Sequence, residues 1–254
     1  MLTRTHEPFY ADQVAGMPSA RVLFSLATGV RLLQFYCLMR LCEMDPKGIV
    51  GFFPSDHYFS DDEAFAGQVA LAYAIAANQP EVIILLGITP EAPETEYGWI
   101  EPGVPFESPV PNCVSRVSRF WEKPPQTLAS ALMERGCLWN SFVMIGHVNA
   151  YLKLIRNAVP GLVKLFESVR PSLFTASETA AVSDLYSIIR ATSFSQDVLS
   201  ARPIDLAVLR GIGLGWSDLG VPCRVLSLLE SKGVQTEWGS KQGGWRADAA
   251  VATG

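Results

Sequence analysis

The sequence lacks the signatures of several large protein classes. Its five cysteines never form a C-x-x-C pair, which argues against a disulfide framework or a zinc knuckle and favours a reducing cytoplasm. Basic residues are not in surplus, since 20 Lys and Arg stand against 25 Asp and Glu, so no nucleic-acid partner is expected. Residues 1–7 lack the apolar stretch of a secretory signal peptide.

Other familiar motifs are missing too. No G-x-S-x-G string occurs, and the run from Gly211 to Gly215 does not have the G-x-G-x-x-G spacing of a dinucleotide-binding turn. The segment from Val22 to Met39 is apolar, but Arg31 interrupts it and its length is marginal for a membrane span. We therefore expect no membrane partner.

What the sequence does contain is an alternation of apolar runs and amphipathic stretches. Hydrophobic residues make up 49% of the 254 residues, enough for a sizeable core. Strands are predicted at 49–53, 82–88, 114–121, 138–145 and 206–210, with one short strand near Trp99. Helices are predicted behind a Ser60/Glu63 capping box and at 128–135, 151–158, 162–169, 178–190 and 221–232. This order favours an α/β domain over residues 1–235 with a largely parallel sheet, followed by a loose tail at 236–254.

Three short segments carry polar groups where simple packing does not require them. Residues 53–57 deliver Asp56 at the end of a predicted strand, residues 119–124 place Glu122 beside Lys123, and residues 215–220 hold Asp218 in a glycine-flanked turn. Ligands of open α/β sheets gather at the carboxyl ends of strands. Each segment also has an ordinary structural interpretation, as a turn aspartate or a solvated charge pair, and no single segment decides between the two.

Five strings in a fixed order resemble the sugar-nucleotide pyrophosphorylases, most closely the mannose-1-phosphate guanylyltransferases. They are FPSDH at 53–57, ITPEAPETEYGWIEPG at 88–103, FWEKP at 120–124, LWNSF at 138–142 and GWSDLG at 215–220. The resemblance extends from about His6 to about Lys232. It implies an open, mostly parallel Rossmann-like nucleotidyltransferase sheet with flanking helices.

The resemblance implies a reaction between GTP and mannose 1-phosphate that gives GDP-mannose and pyrophosphate. Asp56 and Asp218 match the family's metal-binding aspartates, which would hold Mg²⁺. Lys123 matches the lysine that contacts the sugar's phosphate, so these three residues are the predicted catalytic set. The oligomeric state is left open, and a homo-oligomer is compatible with the sequence.

The same resemblance implies a sugar-binding set. Glu122 matches a carboxylate that accepts bonds from sugar hydroxyls, and Asn140 matches a side chain over the sugar. Gly98 matches a glycine whose backbone approaches the sugar closely. Glu96 and Phe142 stand where many relatives have glycine, which would narrow the sugar pocket.

One family motif is missing from the sequence. No G-G-x-G-T-R-L-x-P loop, which cradles the triphosphate in the family, is present. The chain is therefore expected to be N-terminally truncated, starting after this loop, to lack the first strand and to be impaired in turnover. The alternatives are a non-catalytic sugar-phosphate-binding remnant or regulatory subunit, or a pyrophosphorylase for another sugar nucleotide.

A second departure concerns the segment that reads the base in the family. Residues 25–35 replace the family's Q-P-x-x-R-N-T-A-P type of string, yet one back-translation of these residues, read in a shifted frame, encodes QPGNRGTAPAI. We therefore hypothesise that residues 25–35 are read out of frame. The nucleotide sequence tests this directly.

Overall fold

A computed structural model describes residues 2–3, 24–25, 33–106, 113–190 and 192–234 of the chain. The predicted tail at 236–254 and most of the segment 25–35 lie outside these residues. The chain divides into a large unit, residues 1–53 with 66–212, and a small unit, residues 54–65 with 213–254. Each unit is described by itself.

The described residues form ten strands and seven α-helices. In chain order these are β1 (Leu2–Thr3), β2 (Phe24–Ser25), α1 (Leu33–Met44), β3 (Ile49–Phe52), β4 (His57–Phe59), α2 (Asp62–Asn78), β5 (Ile83–Ile88), β6 (Gly98–Pro105), β7 (Val114–Glu122), α3 (Gln126–Glu134), β8 (Leu138–His147), α4 (Val148–Ala158), α5 (Pro160–Glu167), α6 (Glu178–Ile188), β9 (Leu206–Gly211), β10 (Trp216–Asp218) and α7 (Pro222–Ser231). A π-helical segment, Phe194–Leu199, and 3₁₀ turns at Arg170–Ser172 and Pro203–Asp205 complete the described set.

The large unit is built on a six-stranded sheet in the order β3-β8-β5-β9-β7-β6. The α/β class is confirmed, but the sheet is mixed, which corrects the expectation of a mostly parallel one. Among its described pairings β5–β9 is parallel, and the others are antiparallel.

The order of the strands along the chain did not predict a mixed sheet, for two reasons. Strand β8 lies between β3 and β5, so these two strands, which follow one another along the chain within this sheet, are not neighbours in it. Strands β6 and β7 are separated by too few residues for a crossover, which needs a dozen or more, and they pair antiparallel. The strand near Trp99 is also longer than expected, running from Gly98 to Pro105.

The described end of the apolar segment that resembled a marginal membrane span, residues 35–39, contributes to the core of the large unit. Phe35, Leu38 and Met39 of α1 are buried, and the Phe35 ring meets Phe166 of α5 edge to face at 5.1 Å. No helix among the described residues combines the length and the apolar character needed to cross a bilayer.

The small unit contains the antiparallel ribbon of β4 and β10, in which Asp218 pairs with His57. Gly215, just before β10, has a φ of +54°, and a Cβ there would lie 1.8 Å from the Ser60 hydroxyl, so this turn requires glycine. The predicted Ser60/Glu63 capping box is wrong. Asp61 caps α2 instead, because its Oδ1 accepts the amide of Ala64 at 2.8 Å, while the amide of Ser60 donates to the carbonyl of Leu214.

Candidate active site

Four of the predicted site residues lie near one another at the ends of β6, β7 and β8 in the large unit. Gly98 pairs with Glu122 in the β6–β7 ladder, and Lys123 follows Glu122 directly. The β6–β8 ladder ends with Trp99 opposite Trp139, one residue from Gly98 and from Asn140 respectively. We call Gly98, Glu122, Lys123 and Asn140 the strand-end cluster.

Asn140 is buried in this cluster, with only 3% of its surface exposed. Its Oδ1 accepts the amide of Phe142 at 3.1 Å, whereas its Nδ2 is buried and has no hydrogen-bond partner among the described residues. The backbone around it is irregular: the β5–β8 register shifts between Leu85 and Gly87, and Phe142 has a φ of +55°. A buried donor without a partner is costly, and such groups are rare in folded proteins. The local fold therefore leaves the Asn140 amide available to a partner that the described residues do not supply.

Glu122 presents the complementary acceptor. Its Oε2 is buried and has no hydrogen-bond partner in the described part of the chain. Burial raises the pKa of Glu122 above its ordinary value, although a hydrogen bond from Ser195 and the charge of Lys123 oppose this shift. Ser195 itself is buried in the π-helical segment. Sequence reasoning missed it because nothing local links residue 195 to residue 122.

Gly98 leaves room beside this carboxylate. A Cβ at Gly98 would lie 3.2 Å from Glu122 Oε2 and 3.0 Å from the end of the Phe120 ring. A side chain here would therefore crowd the oxygen that lacks a partner. The close approach of the Gly98 backbone to a sugar, which the resemblance implies, stays a prediction.

Lys123 provides an exposed positive charge next to Glu122. Its φ of +44° is unusual for a residue with a side chain, and its amide donates to the Tyr97 carbonyl at 3.2 Å. The ammonium lies 3.4 Å from the Glu96 carboxylate, with side-chain exposures of 57% and 66%. Such an exposed ion pair contributes little to stability, so the Lys123 ammonium can exchange the Glu96 carboxylate for another anion at low cost.

The two predicted metal-binding aspartates both belong to the small unit. The position of a Cβ on Gly220 is 2.8 Å from Asp218 Oδ1 and 3.5 Å from Asp56 Oδ2, so both carboxylates reach one region of space. The backbone also links the two segments, because the Leu219 amide donates to the Asp56 carbonyl at 2.8 Å. We call Asp56 and Asp218 the carboxylate pair.

This pair fits the requirements of Mg²⁺. Hard oxygen donors suit the ion, which usually takes one or two carboxylates and fills its remaining positions with water and phosphate. Among the described residues no group of three or more His, Cys, Asp and Glu side chains is arranged to hold a metal. The remaining ligands would have to come from outside the described chain.

The two carboxylates differ in their surroundings. Asp218 Oδ1 accepts the Gly220 amide at 2.6 Å, and its Oδ2 accepts from the Arg224 guanidinium at 3.2 Å. Asp56 is 57% exposed, and its Oδ1 lies 4.0 Å from Nε2 of His57. Nδ1 of His57 accepts the indole N–H of Trp216 at 3.2 Å, so the proton of the neutral ring is on Nε2, facing Asp56.

Sequence reasoning did not identify Arg224 and left His57 as a mainly structural residue. The partner of Arg224 is six positions away across a turn and a helix start, a spacing with no diagnostic value. The His57–Trp216 bond joins two of the resembling strings, FPSDH and GWSDLG, and only the ribbon register brings them together.

Comparison with known proteins agrees with the strings in the sequence. Residues 33–229 match the family described as nucleotidyl transferase. The chain is 30% identical over 186 residues to the xanthan biosynthesis protein XanB of Xanthomonas campestris, covering 71% of this chain and 37% of that protein. It is 30% identical over 206 residues to mannose-1-phosphate guanylyltransferase 2 of Escherichia coli O157:H7, covering 76% and 40%. The chain thus spans about two fifths of the length of these relatives.

Solved structures share the fold. The crystal structure of mannose-1-phosphate geranyltransferase from Thermus thermophilus superposes with a TM-score of 0.70 at 22% identity, covering 86% of this chain and 61% of that one. Mannose-6-phosphate isomerase from Helicobacter pylori superposes with a TM-score of 0.65 at 19% identity, covering 85% and 84%. Because the family match covers most of its length, this chain belongs to the nucleotidyl transferase family.

Proposed function

We propose that the chain binds a sugar 1-phosphate at the strand-end cluster and serves a nucleotidyl transfer that forms GDP-mannose and pyrophosphate from GTP and mannose 1-phosphate. One observation carries the proposal. Asn140 Nδ2 and Glu122 Oε2 are a buried donor and a buried acceptor, and neither has a partner among the described residues. Leaving such groups unsatisfied costs about 1–3 kcal/mol each, which a ligand with hydroxyl groups would recover.

Sugar hydroxyls suit both groups because a hydroxyl donates one hydrogen bond and accepts two. It can therefore accept from the Asn140 amide and donate to the Glu122 carboxylate. The exposed ammonium of Lys123 is a compact point charge, which suits a phosphate group on the same ligand. A neutral sugar would leave this charge unused.

The reaction follows from the chemistry of the two substrates. An oxygen of the sugar phosphate attacks the α-phosphorus of the triphosphate, the bond between the α-phosphorus and its bridging oxygen breaks, and pyrophosphate leaves with the bond's electrons. Catalysis of such a step is mainly positioning and charge neutralisation. Asp56 and Asp218 would hold Mg²⁺, which when bound neutralises phosphate charge. Lys123 would hold the attacking phosphate.

The identity of the sugar and the base rests on relatives. One relative is named mannose-1-phosphate guanylyltransferase 2, and the five strings of this sequence resemble that group. Glu96, beside Lys123, is a departure that bears on the choice of substrate, because it places a negative charge where the phosphate is expected. The alternative within the pyrophosphorylases, an enzyme that makes another sugar nucleotide, is therefore tested with other sugar phosphates.

A second candidate is a protein that binds the sugar phosphate without turning it over. The observation in its favour is that no G-G-x-G-T-R-L-x-P string occurs in the 254 residues printed. Nucleotidyl transfer needs groups that hold the triphosphate, and backbone amides of glycine-rich loops commonly do this. On this view the strand-end cluster keeps its ligand and the reaction is absent.

Calorimetric titration with mannose 1-phosphate, glucose 1-phosphate and free mannose tests binding. We expect mannose 1-phosphate to bind best, and Glu122→Gln to weaken it while Glu134→Gln, an exposed change on α3, leaves it unchanged. A coupled assay of pyrophosphate release with GTP and Mg²⁺ then separates the two candidates. Failure of every sugar phosphate to bind contradicts both.

A further inference from the structure

The carboxylate of Asp218 already has a positive partner within the chain. Arg224, in the first turns of α7, donates from its guanidinium to Asp218 Oδ2 at 3.2 Å. The Gly220 amide donates to the other oxygen at 2.6 Å. Both oxygens are thus engaged by donors before any ligand arrives.

This ion pair is better fixed than the exposed pair between Lys123 and Glu96. The side chains of Arg224 and Asp218 are 20% and 25% exposed, against more than half for both members of the other pair. Partial burial reduces the screening by water, so the guanidinium acts on Asp218 more strongly than a surface cation would. The Arg224–Asp218 contact therefore affects the affinity of Asp218 for any cation.

We propose that Arg224 is a competitor built into the cation site, which keeps the carboxylate pair from holding a divalent ion tightly by itself. The inference rests on the proposed function, since it takes Asp56 and Asp218 as the groups that hold Mg²⁺. The two carboxylates bring two negative charges, and the guanidinium cancels one of them. A divalent ion would therefore meet a site with one net negative charge in place of two. It would also share Asp218 Oδ2 with the Arg224 guanidinium.

An alternative role for Arg224 is to orient Asp218 for the ion, and the two roles differ in sign. A competitor lowers divalent affinity, so removing its charge raises affinity. A positioning residue raises divalent affinity, so removing it lowers affinity. The Gly220 amide holds Asp218 independently of Arg224, which means that orientation does not depend on the guanidinium alone.

Calorimetric titration of the full chain with Mn²⁺ and with Mg²⁺ measures this difference without any turnover. Arg224→Gln removes the charge and keeps a polar side chain at this position, and we expect its Kd for Mn²⁺ to fall by about three- to tenfold. The difference should shrink as salt is raised, because partly exposed charges are screened. Arg156→Met removes the exposed cation of an ion pair between α4 and Glu167 of α5, and it should leave the Kd unchanged.

Arg224→Met serves as the second variant, and circular dichroism shows whether each variant keeps its helices. An unchanged or higher Kd in a folded Arg224 variant would overturn the inference. Asp218→Asn separates this result from a failure of the proposed function. If Mn²⁺ binds Asp218→Asn as well as the parent, the carboxylate pair is not the cation site, and the proposal for Arg224 is refuted with it.

Discussion

The strand-end cluster and the carboxylate pair manage their polar groups in opposite ways. In the large unit Asn140 is buried and Glu122 is partly buried, and Asn140 Nδ2 and Glu122 Oε2 have no hydrogen-bond partners among the described residues. In the small unit Asp218 is satisfied by Gly220 and Arg224, and Asp56 faces water. The strand-end cluster thus lacks hydrogen-bond partners among the described residues, whereas in the carboxylate pair Asp218 is already paired with a cation and Asp56 is exposed.

This difference in hydrogen bonding determines which kind of ligand each region can recognise. Buried groups without partners select a ligand by the pattern of its hydrogen bonds, because a molecule that lacks a group leaves the cost unrecovered. Exposed or balanced carboxylates select by charge, since a divalent ion has to displace water or a cation that is already present. Sugar selectivity and cation affinity should therefore respond to different substitutions.

The largest expected effect is at the carboxylate pair. Asp56→Asn and Asp218→Asn should each abolish Mg²⁺-dependent turnover in a form of the protein that is active, and weaken Mn²⁺ binding by more than about tenfold, because each removes a charged ligand. Titration calorimetry and pyrophosphate release measure the two effects. Asp184→Asn, an exposed change on α6, is the control. Near-normal rates in either aspartate variant would remove that residue from the site.

The next largest effect is at Asn140. Asn140→Ala should weaken mannose 1-phosphate binding by about 10- to 100-fold, because it deletes the buried donor that awaits a partner. The free energy of unfolding should fall by about 1 kcal/mol, because the change also removes Oδ1, which accepts the Phe142 amide. Titration and thermal denaturation, with the exposed Asn78→Ala as control, check both statements. Loss of stability with unchanged binding would make Asn140 a structural residue.

A pair of glycines tests whether the two regions are independent. A Cβ at Gly98 would lie 3.2 Å from Glu122 Oε2, and a Cβ at Gly220 would lie 2.8 Å from Asp218 Oδ1. Gly98→Ala should weaken sugar phosphate binding about fivefold and spare Mn²⁺, and Gly220→Ala should do the reverse, because each crowding costs about 1 kcal/mol locally. Each variant serves as the other's control in paired titrations. Equal effects of one variant on both ligands would contradict the separation.

Local sequence predicted the elements of this fold well and their arrangement poorly. The apolar runs at 82–88 and 206–210 became the central buried strands β5 and β9, since continuous hydrophobicity is typical of strands covered on both faces. The insertion of β8 between β3 and β5 was not predicted, because no local pattern encodes which strands become neighbours. The cap of α2 was assigned to Ser60 rather than Asp61, one position off, since both residue types cap helices.

In the candidate site, too, the sequence predicted local features but not the contacts that depend on the fold. The strings that contain Asp56 and Asp218 were recognisable, and the ribbon register that puts Asp218 opposite His57 accounts for their proximity. The residues that modify the site were not recognisable. Ser195 reaches Glu122 from a π-helical segment, and Arg224 reaches Asp218 from a helix start, so both depend on folded geometry rather than on spacing.

The smallest expected effect concerns the pH dependence of stability at Glu122. Its pKa is raised above the ordinary 4.5, chiefly because burial disfavours the charged form. The folded state therefore binds the proton more tightly than the unfolded state, so the stability that this group contributes is present below the ordinary pKa and is lost as pH rises through the raised one. Glu122→Gln removes the titration, and its free energy of unfolding should exceed that of the parent near neutral pH. Thermal denaturation between about pH 4 and 8 should show this gap opening as pH rises, while Glu134→Gln follows the parent. If the difference in stability between Glu122→Gln and the parent shrinks as pH rises, hydrogen bonding and not desolvation determines the pKa of Glu122. The proposed contrast between Glu122 and the carboxylate pair would then be wrong.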